Sequence, residues 1–317
     1  MTSPDIRALA IAAESRIRPH VRKTPVRRSD ALSTRYDADV HLKLENLQTT
    51  GSFKARGAFN KLLALDDRAR AHGVVAASTG NHGLAMAYAM RALGVGGVVF
   101  VPVGAASSKV GNIRSYGAEV RFFGEEGGAT EGHARAYAAE RSMVYVSPYN
   151  DIDVVAGQAT VGVEIARQIA DVDVLVASLG GGGLVSGAGG YLKACDPRVT
   201  VVAASPANSK AMMESVRAGR VVRTRHLPTL SDATAGGIDE DTITFEMCRR
   251  IVDDYVEVDE DAIRSALRGC IEMEHMLAEG SAALAIAGLG RTAVAGRRVV
   301  VIVCGANIDA AKLKEAL

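Results

Sequence analysis

The sequence of 317 residues contains no tryptophan, six phenylalanines and eight tyrosines, and its 37 basic residues are nearly balanced by 36 acidic ones. It has no basic run and no interleaving of basic with aromatic residues, so a nucleic acid or an anionic membrane surface is not expected as a partner. No apolar run reaches the length needed to span a membrane. We therefore expect a globular protein that acts on a small molecule or binds another protein.

Cysteine is also scarce, and the four cysteines show neither metal-type nor redox-pair spacing. Free thiols in a reducing cytoplasm are the expected state of such residues. The N-terminal stretch intersperses charged residues among apolar ones and lacks the uninterrupted apolar core of a signal peptide, which also favours a cytoplasmic location. Fixed-period repeats and Pro/Ser-rich linkers are absent, so any domain boundary should be crossed by short loops.

What the sequence does contain is a regular alternation of β-branched runs with alanine-rich helical patterns. The runs that indicate strands are GVVAA, GVVFVP, AEVRFF, MVYVS, VDVLVASL, RVTVVAAS and RRVVVIVC. Such alternation is typical of an α/β protein with mostly parallel sheets. A compact set of these units lies between residues 51 and 146, and longer elements follow from residue 147. We expect two sheets with a cleft between them.

Lys54 stands between a Thr/Gly/Ser-rich turn and an amphipathic pattern in QTTGSFKARGAFNKLLAL, residues 48–65. The apolar residues after it recur at helical spacing, which predicts that a helix begins at or near Lys54. The positive end of the helix dipole disfavours an ammonium there, and burial would lower the pKa of the amine further. A lysine that forms a Schiff base needs such a neutral amine. An exposed first-turn lysine is the alternative that this pattern leaves open.

Four consecutive glycines follow the run VDVLVASL, and a helical pattern begins at about Leu184. Backbone N–H groups free of side chains can converge on an anion at the positive end of a helix, which favours a phosphate site at Gly180, Gly181, Gly182 and Gly183. A flexible linker is the alternative, although linkers rarely join an apolar strand to an apolar helix. The run matches neither a nucleotide P-loop nor the dinucleotide fingerprint.

A third turn, STGNHG at residues 78–83, also follows a strand-like run and precedes a helical pattern. Its hydroxyls, amide and N–H groups suit a carboxylate, while N-capping by Ser78 or Thr79 explains the turn equally well. A lone histidine such as His82 is more often structural than catalytic. Near the C-terminus, Cys304 ends the run RRVVVIVC at a position where α/β proteins bind ligands, although packing is the commoner fate of a cysteine.

Together these motifs resemble the fold-type II pyridoxal-phosphate enzymes, specifically the serine/threonine dehydratase and serine racemase family. The resemblance covers nearly the whole chain, in the family's order, through TPVRRSDALS, HLKLENLQTTGSFKARGA, ASTGNHGLAMA, KVGNIRSYGAEV, VVAGQATVGVEI, SLGGGGLVSG, LPTLSDATAGGI, EGSAALA and CGANID. It implies a two-domain α/β fold of the tryptophan synthase β type, with parallel-rich twisted sheets flanked by helices. A large cofactor-binding domain would comprise residues 1–50 and 147–317, and a small substrate-side domain residues 51–146.

The resemblance also implies how the cofactor is held. Lys54 would form the Schiff base with pyridoxal phosphate, and Phe53 would lie against the cofactor ring. The phosphate would bind the backbone of Gly180, Gly181, Gly182, Gly183 and Leu184. The resemblance implies that Asn81 hydrogen-bonds the hydroxyl of the cofactor ring and that Cys304 lies beside the pyridine nitrogen. It also implies that Glu279 lies near the ring.

On the substrate side, the resemblance assigns the carboxylate site to Ser78, Thr79, Asn81 and His82, with Lys54 as the base that removes the α-proton. The expected activity is that of a dehydratase, or ammonia-lyase, which converts L-threonine, L-serine or a close β-hydroxy amino acid to a 2-oxo acid and ammonia. Because a thiol cannot keep a pyridine nitrogen protonated as a carboxylate can, prompt loss of the β-hydroxyl is favoured over a long-lived carbanion.

Three alternatives stay open. Serine racemases carry a hydroxyl residue at the position of Thr79, which can reprotonate the opposite face, so a racemase with side elimination is one. A dehydratase of a specialised substrate, of the hydroxyectoine-pathway or 3-hydroxyaspartate type, is the second. The third is a non-catalytic ligand-binding protein, against which the intact Lys54 and glycine loop weigh.

Two departures from the family pattern carry expectations of their own. Ser205 occupies the place where metal-binding relatives have a glutamate, so no divalent cation is expected there. The chain stops soon after CGANID, so we expect no C-terminal amino-acid-sensing domain. The resemblance further suggests a homodimer.

Overall fold

The computed structural model describes residues 5–317, which form two β-sheets and the helices that cover them. The strands are β1 (Val26–Arg28), β2 (Asp39–Leu44), β3 (Val74–Ala77), β4 (Gly97–Val101), β5 (Glu119–Phe122), β6 (Val144–Tyr145), β7 (Val174–Ser178), β8 (Thr200–Pro206), β9 (Asp254–Val258) and β10 (Arg298–Val303). The helices are α1 (Ile6–Ile17), α2 (Asp30–Tyr36), α3 (Lys54–Ala64), α4 (Asp67–His72), α5 (Asn81–Leu93), α6 (Ser107–Ser115), α7 (Gly127–Glu140), α8 (Ile152–Gln168), α9 (Gly190–Cys195), α10 (Ala211–Ala218), α11 (Ile243–Ile251), α12 (Glu260–Glu272), α13 (Gly280–Gly288) and α14 (Ala310–Ala316).

The larger sheet has six strands in the order β1-β2-β10-β7-β8-β9. Only β1 runs antiparallel to its neighbour, and the other pairs are parallel. Its central strands β10 and β7 are apolar except for Arg298 and Ser178, and all their residues but Arg298 are buried, because helices cover both faces. The expected α/β architecture with parallel-rich sheets is confirmed.

The smaller sheet has four parallel strands in the order β5-β4-β3-β6. Alternate residues of β3 and β4 enter separate hydrophobic clusters, so that Val74 and Val99 pack on one face while Val75 and Val98 pack on the other. All strands of this sheet lie within residues 51–146, and all strands of the larger sheet lie outside that range. The predicted domain boundaries and domain roles stay a prediction, and residues 1–4 of the predicted large domain lie outside the described residues.

Helices α3 and α8 cross closely, and this crossing joins the helix that begins at Lys54 to the helix that precedes β7. A Cβ atom added to Gly157 would lie 2.6 Å from the carbonyl oxygen of Arg56 and from the Cα atom of Gly57, so only glycine permits this approach. Beside the crossing, Arg56 donates to two carboxylates with no solvent exposure, Glu45 and Glu164. The first turn of α3 is thereby fixed from two sides.

Neither a membrane span nor a metal cluster is found within residues 5–317. No helix there is long and apolar enough to cross a bilayer. No three His, Cys, Asp or Glu side chains there are grouped so that they could hold a metal ion. Ser205 is fully buried, and its hydroxyl has no hydrogen-bond partner. The expectation that no divalent cation binds at Ser205 stays a prediction.

Candidate active site

One cavity of about 740 Å³ lies between the two sheets, and every site residue predicted from the sequence lines it. It collects the turns that follow β3, β7 and β10 together with the start of α3. Since β7 and β10 are parallel neighbours, their carboxyl ends open at the same edge of the larger sheet, which is where open α/β sheets bind ligands. Residues 250 positions apart in sequence thus face one space.

Lys54 is the first residue of α3, as the sequence predicted, and its side chain is half-buried. Its Nζ atom donates to the carbonyl oxygen of Pro148 at 2.9 Å and lies 5.1 Å from the centre of the Phe53 ring. Burial lowers the pKa of the amine from 10.5 to about 8, against the attraction of Cys304 and Glu279. Desolvation is therefore the main cause of the lowered pKa, which brings the titration of this amine close to physiological pH.

The four glycines form a tight turn between β7 and a helical segment that includes a π-helical stretch, Val185–Gly189. Gly182 has a φ of +85°, and a Cβ atom added to Gly181 would lie 2.4 Å from the ring of Tyr149. Side chains are excluded from both positions, so the backbone itself forms this wall of the cavity. The N–H groups at the start of a helical segment lack intrahelical partners and are available to an anion.

The turn after β3 leads into α5 without a side chain that caps the helix. Gly80 is the N-cap residue of α5, and no side chain caps the helix, so the alternative of capping by Ser78 or Thr79 is wrong. The hydroxyl of Ser78 instead accepts from the N–H of Gly80 at 3.1 Å. Ser78 and Thr79 are half-buried and line the same cavity as Lys54.

His82 is buried, and its Nε2–H donates to the carbonyl oxygen of Val146 at 2.9 Å. Burial, with the nearby Lys54 cation, lowers the pKa of the imidazole from 6.5 to about 3, so the ring is neutral at physiological pH. Its Nδ1 atom has no partner among the described residues. The side chain is therefore an anchor and a potential acceptor, and it cannot be a proton donor to substrate near neutral pH.

Glu279 lines the cavity and is surrounded by several polar groups. The Asn81 amide donates to both carboxylate oxygens, at 2.8 and 3.0 Å, and the N–H of Asn307 donates to one of them at 3.0 Å. The Cys304 thiol lies 3.9 Å from the same carboxylate. Burial raises the pKa of Glu279 to about 7 and holds the pKa of Cys304 well above its ordinary value, so the thiol stays protonated.

Several cavity residues were missed from the sequence. Pro148 and Tyr149 follow the short strand β6, Asn307 follows Cys304, and a wall of charged residues comprises Lys109, Glu131, Arg135, Asp232 and Asp239. The segment SPYND was detectable as a polar turn after a strand. The charged wall gave no sequence signal, because isolated charged residues on helix and loop surfaces are usually solvated.

The residues present fit pyridoxal phosphate, the cofactor that the motifs lead one to expect. An amine of lowered pKa, a side-chain-free cradle at a helix start and a cluster of buried polar side chains share one cavity. A phosphate requires the cradle, and an aldehyde requires the amine. A Cβ atom at Gly181 would strike the ring of Tyr149 and one at Gly182 would lie 2.7 Å from the Cys248 thiol, so the cradle keeps its shape only with glycine at both positions.

Comparisons with known proteins agree with this geometry. A family model described as pyridoxal-phosphate dependent enzyme matches residues 17–305. The L-threonine ammonia-lyase of Thermotoga maritima is 37% identical over 298 residues, which are 94% of this chain and 74% of the relative. The catabolic L-threonine dehydratase of Escherichia coli K12 is 36% identical over 96% of this chain and 94% of its own. The solved structure of maize serine racemase has a TM-score of 0.92 and 29% identity, covering 98% of this chain and 96% of that one.

Proposed function

This chain belongs to the family of pyridoxal-phosphate-dependent enzymes, and from that premise we propose that it is an ammonia-lyase, or dehydratase. Its substrate would be L-threonine, L-serine or a close β-hydroxy amino acid, and its products a 2-oxo acid and ammonia. The observation that carries the proposal is the buried Lys54 amine, whose pKa is lowered to about 8 and which lies in one cavity with the glycine cradle and the turn at Ser78–His82. The activities named for the two bacterial relatives support it.

In this proposal each wall of the cavity holds one part of the cofactor. Lys54 would hold it covalently through its amine, with Phe53 against the ring, and the backbone of Gly180–Leu184 would hold the phosphate. Asn81, Glu279 and Cys304 would lie at the ring. When bound, pyridoxal phosphate supplies an electron sink for the negative charge that develops at the substrate α-carbon.

The protein's own groups bind the substrate and move the protons. Ser78, Thr79, Asn81 and His82 would bind the substrate carboxylate at the start of α5, where the helix dipole favours an anion. Lys54 would accept the α-proton, and a pKa lowered to about 8 leaves a far larger fraction of the amine neutral at cellular pH than an exposed lysine has. The Pro148 carbonyl accepts from the free Lys54 amine and fixes its position in the cavity.

The state of Cys304 favours elimination. Its protonated thiol carries no charge and cannot stabilise a cation beside it as an aspartate would. Charge that develops at the α-carbon is then stabilised less strongly, so a substrate with a leaving group on its β-carbon would lose that group promptly. The carboxylate of Glu279 accepts from the Asn81 amide and the Asn307 N–H and lies near the Cys304 thiol, so its position in the cavity is fixed by three groups.

The proposal is tested by 2-oxo acid and ammonia formation with the purified protein and added cofactor. L-serine, L-threonine, their D-enantiomers and larger or acidic β-hydroxy amino acids are the substrates. We expect turnover of L-threonine or L-serine, and loss of it in Lys54→Ala with an unchanged circular dichroism spectrum. Ammonia release by Lys54→Ala at the native rate, or no turnover of any substrate by the native protein, would refute the proposal.

A racemase is the second candidate, because Thr79 places a hydroxyl in the cavity with Lys54. Two proton-transferring groups on opposite sides of an α-carbon allow inversion. Appearance of D-serine from L-serine, measured by chiral chromatography, would support this activity. Its rate relative to 2-oxo acid formation would decide which reaction is the main one.

We also propose that the enzyme acts in the cytoplasm as a homodimer, with residues 1–50 and 147–317 as the cofactor-binding domain and residues 51–146 on the substrate side. Free thiols at Cys248, Cys270 and Cys304, all buried, support a reducing location. The family resemblance supports the dimer. Sedimentation of the holoenzyme tests the oligomeric state, and a monomer would contradict it.

A further inference from the structure

A charged cluster lies on the cavity wall, outside the residues to which the proposed function gives a role. It consists of Glu131 and Arg135 on α7 and Asp239 in the loop before α11, all of which line the cavity. The Arg135 guanidinium lies 2.7 Å from a Glu131 oxygen and 2.8 Å from an Asp239 oxygen. It also stacks over the ring of Tyr145, 4.4 Å from its centre.

Three consecutive residues connect this cluster to the reactive amine. The Pro148 carbonyl accepts from Lys54, the Tyr149 hydroxyl accepts from the N–H of Asp239, and the Asn150 amide donates to the Asp239 carboxylate at 3.0 Å. Consecutive Cα atoms are about 3.8 Å apart, so the backbone from Pro148 to Asn150 spans no more than about 8 Å. The cluster and Lys54 therefore contact the same three-residue segment and line the same cavity, into which the side chain of an amino acid bound at Lys54 would extend.

The carboxylates in the cluster outnumber the cation. Glu131 and Asp239 share one arginine, and Tyr145 and Asn150 add neutral hydrogen bonds to them. The other cation of the wall, Lys109, lies 3.2 Å from Asp232, which also binds Lys312. Among the described residues that line the cavity, every Arg or Lys other than Lys54 thus has a carboxylate partner, and the wall around Arg135 bears a net negative charge.

We propose that Asp239, with Glu131, restricts the enzyme to β-hydroxy amino acids whose side chains carry no negative charge, because it occupies the arginine that would otherwise bind a second carboxylate. This inference rests on the proposed function and specifies its substrate class. A substrate such as 3-hydroxyaspartate would have to displace Asp239 from Arg135 and would be repelled by two carboxylates. Asp239 is a specificity-determining residue in this view.

The test compares kcat/KM for L-threonine and for 3-hydroxy-L-aspartate in four proteins: the native holoenzyme, Asp239→Asn, the double variant Asp239→Asn/Arg135→Gln and the control Asp241→Asn. Asp241 is an exposed carboxylate of the same loop that does not line the cavity, so its removal changes the net charge equally without releasing Arg135. We expect the native enzyme to prefer L-threonine by at least about a hundredfold. Asp239→Asn should narrow that preference by about tenfold or more, chiefly through KM for the acidic substrate.

The double variant and the control identify the cause. We expect the relative kcat/KM for 3-hydroxy-L-aspartate to rise in Asp239→Asn, to return to the native value in the double variant and to stay unchanged in Asp241→Asn. That result would show that the released Arg135 binds the second carboxylate. Equal use of both substrates by the native enzyme, or an unchanged preference in Asp239→Asn, would overturn the inference. A gain of the same size in Asp241→Asn would also overturn it, because net charge alone would then explain the result.

A binding measurement separates this inference from the proposed function. L-aspartate has a second carboxylate and no hydroxyl to lose, so its affinity can be followed from the cofactor absorbance without turnover. Tighter L-aspartate binding by Asp239→Asn than by the native protein would support the specificity role even if no hydroxy amino acid were eliminated. Turnover of L-threonine with unchanged L-aspartate binding would refute the specificity role and leave the proposed function standing.

Discussion

Replacing Arg56 with methionine should destabilise the protein strongly, although Arg56 touches no substrate. Its guanidinium donates to Glu45 at 2.7 and 2.8 Å and to Glu164 at 2.8 and 2.9 Å, and none of these three side chains is exposed to solvent. Glu164 would retain two cations, Lys43 at 2.6 Å and Arg18 at 2.7 Å. Glu45 would retain one hydrogen bond, from the hydroxyl of Thr24, and the nearby charge of Lys43, so a buried carboxylate would lose the counter-ion that it is hydrogen-bonded to.

The magnitude follows from that uncompensated charge. Removing one partner of a buried ion pair costs about 3–5 kcal/mol, a large share of the 5–15 kcal/mol that stabilises a typical domain. Converting Glu45 to glutamine in the Arg56→Met background removes the stranded charge and should restore about 2 kcal/mol or more of the loss. The surface pair of Arg249 and Glu246, with side chains 45% and 61% exposed, gives the matched control. Arg249→Met should cost less than about 1 kcal/mol.

Urea unfolding of the apo-protein, followed by circular dichroism at fixed pH and ionic strength, gives the four free energies of unfolding. A loss below about 1 kcal/mol for Arg56→Met would refute the reasoning, since it would mean that Glu45 finds another partner or water. A double variant no more stable than Arg56→Met would also refute it, because the loss would then come from packing and not from the stranded carboxylate.

Further predictions concern the amine, the cradle, the turn and acid stability. An amine-reactive reagent should modify Lys54 of the apo-protein half-maximally near pH 8; a midpoint near 10.5 would contradict the burial of this amine. Gly181→Ala should weaken cofactor binding at least about tenfold, because the added Cβ atom would strike Tyr149. The control Gly111→Ala, whose Cβ atom would have nothing within 4 Å, should leave the affinity unchanged. An absorbance titration with the cofactor measures both affinities. Thr79→Ala should lower any racemisation more than elimination, and equal losses by chiral assay would exclude Thr79 as the second proton-transferring group. Partners of Glu164 hold its pKa at about 2 against 4.5 when unfolded, so about 3 kcal/mol of stability, present above pH 4.5, should disappear as pH falls towards 2; Glu164→Gln should flatten that urea-unfolding profile.

Seven of the ten strands within residues 5–317, β3 to β8 and β10, could be predicted from the sequence. Strands β3, β4, β7, β8 and β10 are largely apolar and buried, and such runs carry a signal that needs no knowledge of the partner strand. Strands β5 and β6 are more exposed, and their β-branched and aromatic residues indicated them. Strands β1, β2 and β9 were missed because polar residues interrupt them. In β2 the interruption is Lys43, which is fully buried and bonded to Glu164 of α8, so its burial depends on a residue 121 positions away.

The site residues, like the strands, could be predicted where a local sequence pattern indicates them. Lys54, the glycine loop, the turn at Ser78–His82 and Cys304 each end a strand or begin a helix, and local pattern places such residues at the edge of a sheet where ligands bind. Each of these residues can therefore be predicted as a site residue from its own segment of the sequence. The glycines add a second local signal, because a run without side chains between two apolar elements has little use in packing.

Arg135 and Asp239 could not be found that way, because neither residue has a special place in its own segment. Arg135 is one of many arginines on helix surfaces, and Asp239 lies in an irregular loop with other acidic residues. Their meaning arises only when the fold brings residues 104 positions apart within 2.8 Å, on the wall of the cavity that contains Lys54. Reaction type depends on groups that local sequence marks, whereas substrate choice depends on which charge is left unpaired, and pairing is a property of the folded chain. A relative that kept Lys54 and the glycine loop but lost the partner of Arg135 would therefore be expected to keep the reaction and change the substrate.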